Sequence, residues 1–185
     1  VESPAQTPLL HMAFHSSAAR DPETLHMSLL LNILTVGDSS RLHRRLVEDE
    51  GIALSIGAFV DEGFDPGLTY FSLTLPPGGH PETAERRVLE EQQLVADEGD
   101  TDAELNKARN IVLADFWRGM STIDGKAGAI GDFAVFHGNY EKLFNLPYAV
   151  ESVTAEDLQQ VAAAVFDEDN ITVGVLVAPD EEDAE

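Results

Sequence analysis

Apolar and polar residues alternate along Leu9–Ser17 with the period of a strand. Leu10, Met12 and Phe14 fall on one face and His11, Ala13 and His15 on the other. The period then lengthens. Asp21 followed by Pro22 is a helix start, with aspartate as cap and proline at the first helical position. Leu25, Leu29, Ile33 and Val36 recur at helical spacing until Gly37 breaks the run. The stretch from Asp38 to Ile56 reads as a helix that ends at a glycine and turns straight into a strand. Asp38 or Ser39 can cap it, because a side-chain oxygen there satisfies a free backbone N–H. Leu42, Leu46 and Val47 share one helical face. Gly51 suits the left-handed position just past a helix end. Beyond it Leu54, Ile56, Ala58 and Val60 alternate with Ala53, Ser55, Gly57 and Phe59.

The second half follows the same logic. Asp61–Gly67, with two glycines and Pro66, is a hairpin loop, and Leu68–Leu75 is its return strand. Pro76-Pro77-Gly78-Gly79 stops that strand. Pro81 starts a helix to about Glu98. Thr101 and Glu104 make a capping box for another, whose stripe is Leu105, Ala108, Val112 and Phe116, widened by Ile111. The glycines at 119, 125, 128, 131 and 138 predict short, closely packed helices bearing Ile130, Phe133 and Phe136. Tyr140–Val153, containing Pro147, reads as a connector. Thr154 caps a last helix to Phe166, with Leu158, Val161 and Val165 inward. Ile171–Ala178, nearly all apolar, is expected as a central strand. About four strands and six helices in this order predict an α+β fold, a mostly antiparallel sheet with helices packed against it. The expected boundaries are a linker at 1–8, a single domain over 9–179 and an acidic tail at 180–185.

Composition narrows the partners. The 185 residues hold 34 Asp plus Glu against 11 Lys plus Arg, a formal charge of −23, and the lysines are only Lys107, Lys126 and Lys142. Such a surface repels phosphate backbones, so nucleic acid is not an expected partner. Acid spread over the whole length, with lysine scarce, fits a surface adapted to high salt, where self-repulsion is screened. No run reaches the apolar length of a membrane span. The absence of cysteine excludes disulfides, thiol catalysis and cysteine-ligated metals. A start at Val1 rather than Met predicts an excised or processed piece.

No catalytic constellation emerges from the residues alone. Among the histidines at 11, 15, 26, 43, 80 and 137, only His11 and His15 lie four apart. Met12 and Phe14 stand where a zinc helix would need glutamate. On a strand, four residues also span roughly 13 Å, too far for one ion. Asp38-Ser39-Ser40 reads as a helix start rather than a nucleophile cluster. Gly119–Ala127 misses a phosphate loop by one residue between its glycines, and Ala127 replaces the hydroxyl that would hold magnesium.

Several segments, in order, resemble the second, non-catalytic domain of the insulinase, pitrilysin and mitochondrial-processing-peptidase family of zinc peptidases. They are HMAFHSSAARDPETLHMSLLLNIL, then GDSSRLHRRLVEDEGIALSI, the glycine-dotted stretch from Gly125 to Tyr140, and PYAVESVTAEDLQQVAAAVFDEDNITVGVLVAP. The resemblance runs from about Pro8 to Pro179. It implies a wall of a chamber that encloses peptide substrates. Its partner would be a catalytic domain, in the same chain or another, which carries H-x-x-E-H. No cofactor is expected in this chain, and zinc belongs to that missing domain. There, zinc-bound water would attack the peptide carbonyl. The sequence leaves the compartment undetermined; bacterial relatives are often exported, which makes the envelope or periplasm one option the resemblance opens. Many members carry an arginine and a tyrosine, seven residues apart, around the glycine turn and use them to hold substrate. Aligned on Gly51, Val47 and Leu54 occupy those places, and neither side chain can hydrogen-bond. Arg44 and Arg45 are close, but helical phase does not allow them to substitute. The alternatives are a catalytically inactive partner or scaffold subunit, and an unrelated acidic α+β binding module.

Overall fold

The computed structural model describes residues 7–177, so most of the expected linker and the acidic tail lie outside the described residues. Four strands form one antiparallel sheet in the order β2-β3-β1-β4. They are β1 (Leu9–His15), β2 (Ser55–Val60), β3 (Leu68–Thr74) and β4 (Ile171–Leu176). The alternation read in β1 is obeyed. Leu10, Met12 and Phe14 are buried, while His11 and His15 are exposed. In β3, Thr69, Phe71 and Leu73 are buried in the same way. Phe14 packs edge-on against Phe71 and Phe166, with ring centroids 6.1 and 5.3 Å apart, the geometry aromatic quadrupoles favour.

Helix α1 (Pro22–Thr35) packs against the strand β2 and against two later helices, α4 (Asp102–Gly119) and α7 (Ala155–Val165). Its expected single stripe is too narrow. Met27, Leu30, Leu31 and Leu34 are buried with Leu29 and Ile33, whereas Val36 is exposed. A helix surrounded by packing partners is apolar around most of its circumference, and this blurs the 3.6-residue period. Asp21 occupies the cap position, but its carboxylate accepts the Ala18 N–H at 3.2 Å instead of a helical amide.

Gly37 (φ 81°) closes α1, and the chain re-enters a helix at Ser40, not at Asp38 or Ser39. Helix α2 (Arg41–His43) then widens into a π-helical segment, Arg44–Asp49, where the Glu50 N–H reaches the carbonyl of Arg45 at 3.0 Å. Such wide turns are rare and insert one residue into the helical count. The periodicity of Leu42 and Leu46 could not show this, because both are buried under either geometry. Gly51, at φ 64°, ends the segment in the left-handed conformation expected of it.

Helices α3 (Pro81–Glu98) and α4 (Asp102–Gly119) match their expected spans. The Thr101–Glu104 capping box is formed, as is a second between Thr154 and Asp157 at the head of α7 (Ala155–Val165). Gln159 on α7 donates to the carbonyls of Ala96 and Asp97 at 2.9 and 3.0 Å and so satisfies the open end of α3.

Three further expectations are corrected. The connector around Pro147 is a helix, α6 (Lys142–Ser152), because Leu143 and Val150 are drawn into the interior. Its first turn is tightened by i→i−3 bonds from Lys142, Leu143 and Phe144. The described residues therefore form seven α-helices. Among the described residues the last strand lies at one end of the sheet rather than at its centre, paired with β1. Its apolar run comes from Ile171, Val173 and Val175, which pack on the core. The glycine-dotted region is one helix, α5 (Ile123–Val135), with no buried residue. A Cβ at Gly128 or Gly131 would meet nothing within 4 Å, so those glycines do not serve close packing. Gly125 does, since a Cβ there would lie 2.1 Å from the carbonyl oxygen of Gly119.

Candidate functional site

The two positions singled out by sequence flank the Gly51 turn. Val47 lies in the π-helical segment and packs, half-buried, against the core. Leu54 immediately precedes β2. Its side chain is 54% exposed, and its N–H is held by the carbonyl of Thr74 at 2.8 Å. The turn thus presents one apolar side chain to solvent and tucks the other inward.

The side chains that do converge here are arginines. Arg41 lies against Glu104 with both ends of its fork, Nε to Oε1 at 2.7 Å and Nη2 to Oε2 at 2.8 Å. The same guanidinium reaches Asp100 Oδ1 at 3.5 Å and Glu91 Oε1 at 3.7 Å. Arg45 continues the network to Glu50, Glu90 and Glu91, and Arg87 joins Glu50 and Glu90. Arg45 is therefore committed to holding α2 and its π turn against α3, while Arg44 is exposed. The hydrogen bonds from Arg41, against the opposing effect of burial and with help from Thr101, bring Glu104 down to about 2. Asp100 moves the other way, to about 6. Burial dominates there, Arg41 opposes it, and Glu104 and Glu91 reinforce it. Both Asp100 oxygens are buried without a hydrogen-bond partner. This cluster is structural: its acids and bases are paired with one another.

The second place is a pocket of about 390 Å³ between the start of α1, the β2–β3 loop, α4, α5 and α6. Leu25, Val112, Phe133 and Leu146 give it apolar walls, with Glu62, His137 and Lys142 among its polar lining. His137 stacks on Phe133 at 4.2 Å. Its pKa is lowered by burial, with Asp132 opposing and Lys142 assisting. The Lys142 ammonium donates to the His137 carbonyl at 3.1 Å. Glu62 touches solvent at the rim, yet crowding by protein, with nearby Asp132, raises its pKa. No sequence signal marked this pocket, because its walls come from five separate elements.

Other sequence candidates stay apart. His11 and His15 are exposed on the solvent side of β1. Among the described residues no three His, Asp or Glu side chains are placed to hold a metal ion, so this donor set does not fit zinc. Ser39 Oγ accepts from Lys107 Nζ at 2.8 Å, and the Ser40 hydroxyl is buried without a partner. Gly119–Ala127 is the end of one helix and the start of the next, with no strand before it. Among the described residues no helix is long and apolar enough to cross a membrane.

Residues 1–112 match a family model described as the peptidase M16 inactive domain. Of solved structures, a protein of Bordetella pertussis assigned as a zinc protease superposes with a TM-score of 0.84 at 25% identity, covering 97% of this chain and 98% of that one. The inactive peptidase domain of a protein of Bordetella parapertussis, likewise assigned as a zinc protease, gives 0.86 at 24%, with 98% of each chain covered. A protease from Helicobacter pylori gives 0.88 at 19%, covering 95% of this chain but 42% of that one. No curated protein matches the chain.

Proposed function

The chain belongs to the family of peptidase M16 inactive domains, and from that premise we propose that it is the non-catalytic part of a zinc metalloendopeptidase, forming one wall of the chamber that encloses peptide. The observation that supports this is the pattern of coverage. The same fold accounts for 98% of the Bordetella chains and 42% of the Helicobacter protease, where a further portion of comparable size accompanies it. Zinc and the attacking water would sit on that other portion, carried by the same chain or a partner. Among the described residues no group of donors is placed to hold the ion. Its own contribution is a rigid surface, with α2 and its π turn clamped to α3 by the arginine–carboxylate network.

A second reading has one specific observation in its favour. Val47 is half-buried and Leu54 offers only carbon, so the turn presents no polar group from these two positions to a peptide. On that reading the chain is an inactive partner or scaffold subunit. Reconstitution separates the readings. The chain is combined with the H-x-x-E-H-bearing domain of its own protein, and cleavage of an unstructured fluorogenic peptide is followed. Alone, the chain should be inert with or without zinc; together, the two should cleave much faster than the catalytic domain by itself. Cleavage by the chain alone, or no change on adding it, would overturn the wall reading.

A further inference from the structure

The pocket beneath α5 and α6 has a shape and a charge that the wall reading leaves unused. Its volume, about 390 Å³, lies at the small end of ligand sites, the size of one or two side chains. Leu25, Val112, Phe133 and Leu146 are half-buried, so their carbon lines the cavity without closing it. Glu62 stands at its rim and, among the described residues, makes no hydrogen bond or ion pair. Asp132 of α5 lies close enough to interact with it, carboxylate against carboxylate. Two cations, Arg20 and Lys142, and the Asp21 carboxylate also line the pocket. The Asp21 carboxylate accepts the Ala18 N–H at 3.2 Å, Lys142 is turned onto the carbonyl of His137 at 3.1 Å, and Arg20 is exposed. Among the described residues no cation lies within ion-pair distance of Glu62, so a group with an apolar stem and a cationic head would complete that rim.

We propose that this pocket receives one arginine or lysine side chain of an unstructured peptide, its methylenes against Leu25, Val112, Phe133 and Leu146 and its cation against Glu62. Long basic side chains bury their stems on carbon while the charge stays at a wet edge. A guanidinium meets a carboxylate in a forked, charge-assisted pair. The inference rests on the wall reading and deepens it, since it gives the wall a preference for basic peptides.

The test uses the full 185-residue chain and a set of labelled unstructured peptides that differ at one position: arginine, norleucine, phenylalanine or glutamate. Binding is read by fluorescence anisotropy at fixed ionic strength. Arginine should bind about tenfold tighter than norleucine, the scale of one charge-assisted hydrogen bond. Glu62→Gln should erase most of that advantage and leave norleucine binding unchanged. Glu98→Gln, the same charge change at the exposed end of α3, should preserve the advantage and so exclude a general effect of the −23 charge. Leu146→Trp, which fills the cavity, should weaken arginine and norleucine alike, with circular dichroism confirming the fold. Equal binding of arginine and norleucine, an arginine preference that survives Glu62→Gln, or binding of none of the peptides would overturn the pocket. If the reconstituted enzyme still cleaves all four peptides alike, the wall reading stands and only the pocket falls. If the chain fails to join the catalytic domain, the wall reading itself is refuted.

Discussion

Replacing Arg41 by methionine should remove the charge that holds α2 to α3 and α4 while keeping most of the stem's volume. In the wild type, lowering Glu104 from 4.5 to about 2 corresponds to a ceiling of roughly 3.4 kcal/mol, at about 1.36 kcal/mol per pKa unit. Thr101 supplies part of that, and the Glu104 side chain is 30% exposed, so solvent screens the rest. About half is a fair share for Arg41. Leaving the Asp100 carboxylate buried without the Arg41 guanidinium adds to the loss. A deficit of about 2–3 kcal/mol at pH 7 is expected, below the ~3–5 kcal/mol of a fully buried pair that loses one partner. The pH dependence has a definite sign. Glu104, with its folded pKa depressed, stabilises the wild type above about 4.5, and that contribution is lost as pH falls through about 2. Asp100, raised to about 6, costs stability above that value, and protonation relieves the cost as pH falls from about 6 towards 3.8. Without Arg41 both carboxylates protonate more readily in the folded state. The gap between variant and wild type should therefore narrow between pH 7 and pH 4.5. Urea unfolding followed by far-ultraviolet circular dichroism, at constant ionic strength, measures it. A deficit below about 0.5 kcal/mol at pH 7, or one that does not change with pH, would refute this account of the network.

Gly51→Ala should cost about 1 kcal/mol, all of it backbone strain at φ 64°, because nothing lies within 4 Å of the added Cβ; urea midpoints with an unchanged slope would show it. Gly128→Ala and Gly131→Ala should each stabilise the isolated chain by about 0.5–1 kcal/mol, since both positions are helical and open, whereas Gly125→Ala, driven into the carbonyl of Gly119, should lower the melting temperature. Phe71→Ala, in a fully buried aromatic cluster, should cost about 3–5 kcal/mol of unfolding free energy. The charge of −23 predicts a melting temperature that rises with NaCl from dilute buffer to molar salt; a flat response would sink the high-salt reading.

What the sequence could and could not reveal divides along physical lines. Local rules were legible. The capping box at Thr101, the cap at Thr154, proline at the first turn of α1 and α3, and glycine at the left-handed turn are each settled by a few neighbouring residues. The period of two in β1 and β3 was legible because one face of the sheet meets the core. Readings failed where the deciding partner is distant in sequence. Nothing near Arg41 announces Glu104, Asp100 and Glu91, and nothing near Leu46 announces a π turn. Gly128 and Gly131 were misread because spacing alone treats every glycine as a contact, and only the fold shows which ones face open space. The same reasoning applies to the pocket. Glu62 and Asp132 are 70 positions apart by their numbering, and each is an ordinary surface acid until the β2–β3 loop and α5 bring them together. A chain with so many carboxylates hides such a pair well, because its composition makes every acid equally uninformative. The distinguishing feature of Glu62 is its surroundings: carbon on the pocket side, a like charge nearby and no cation paired with it.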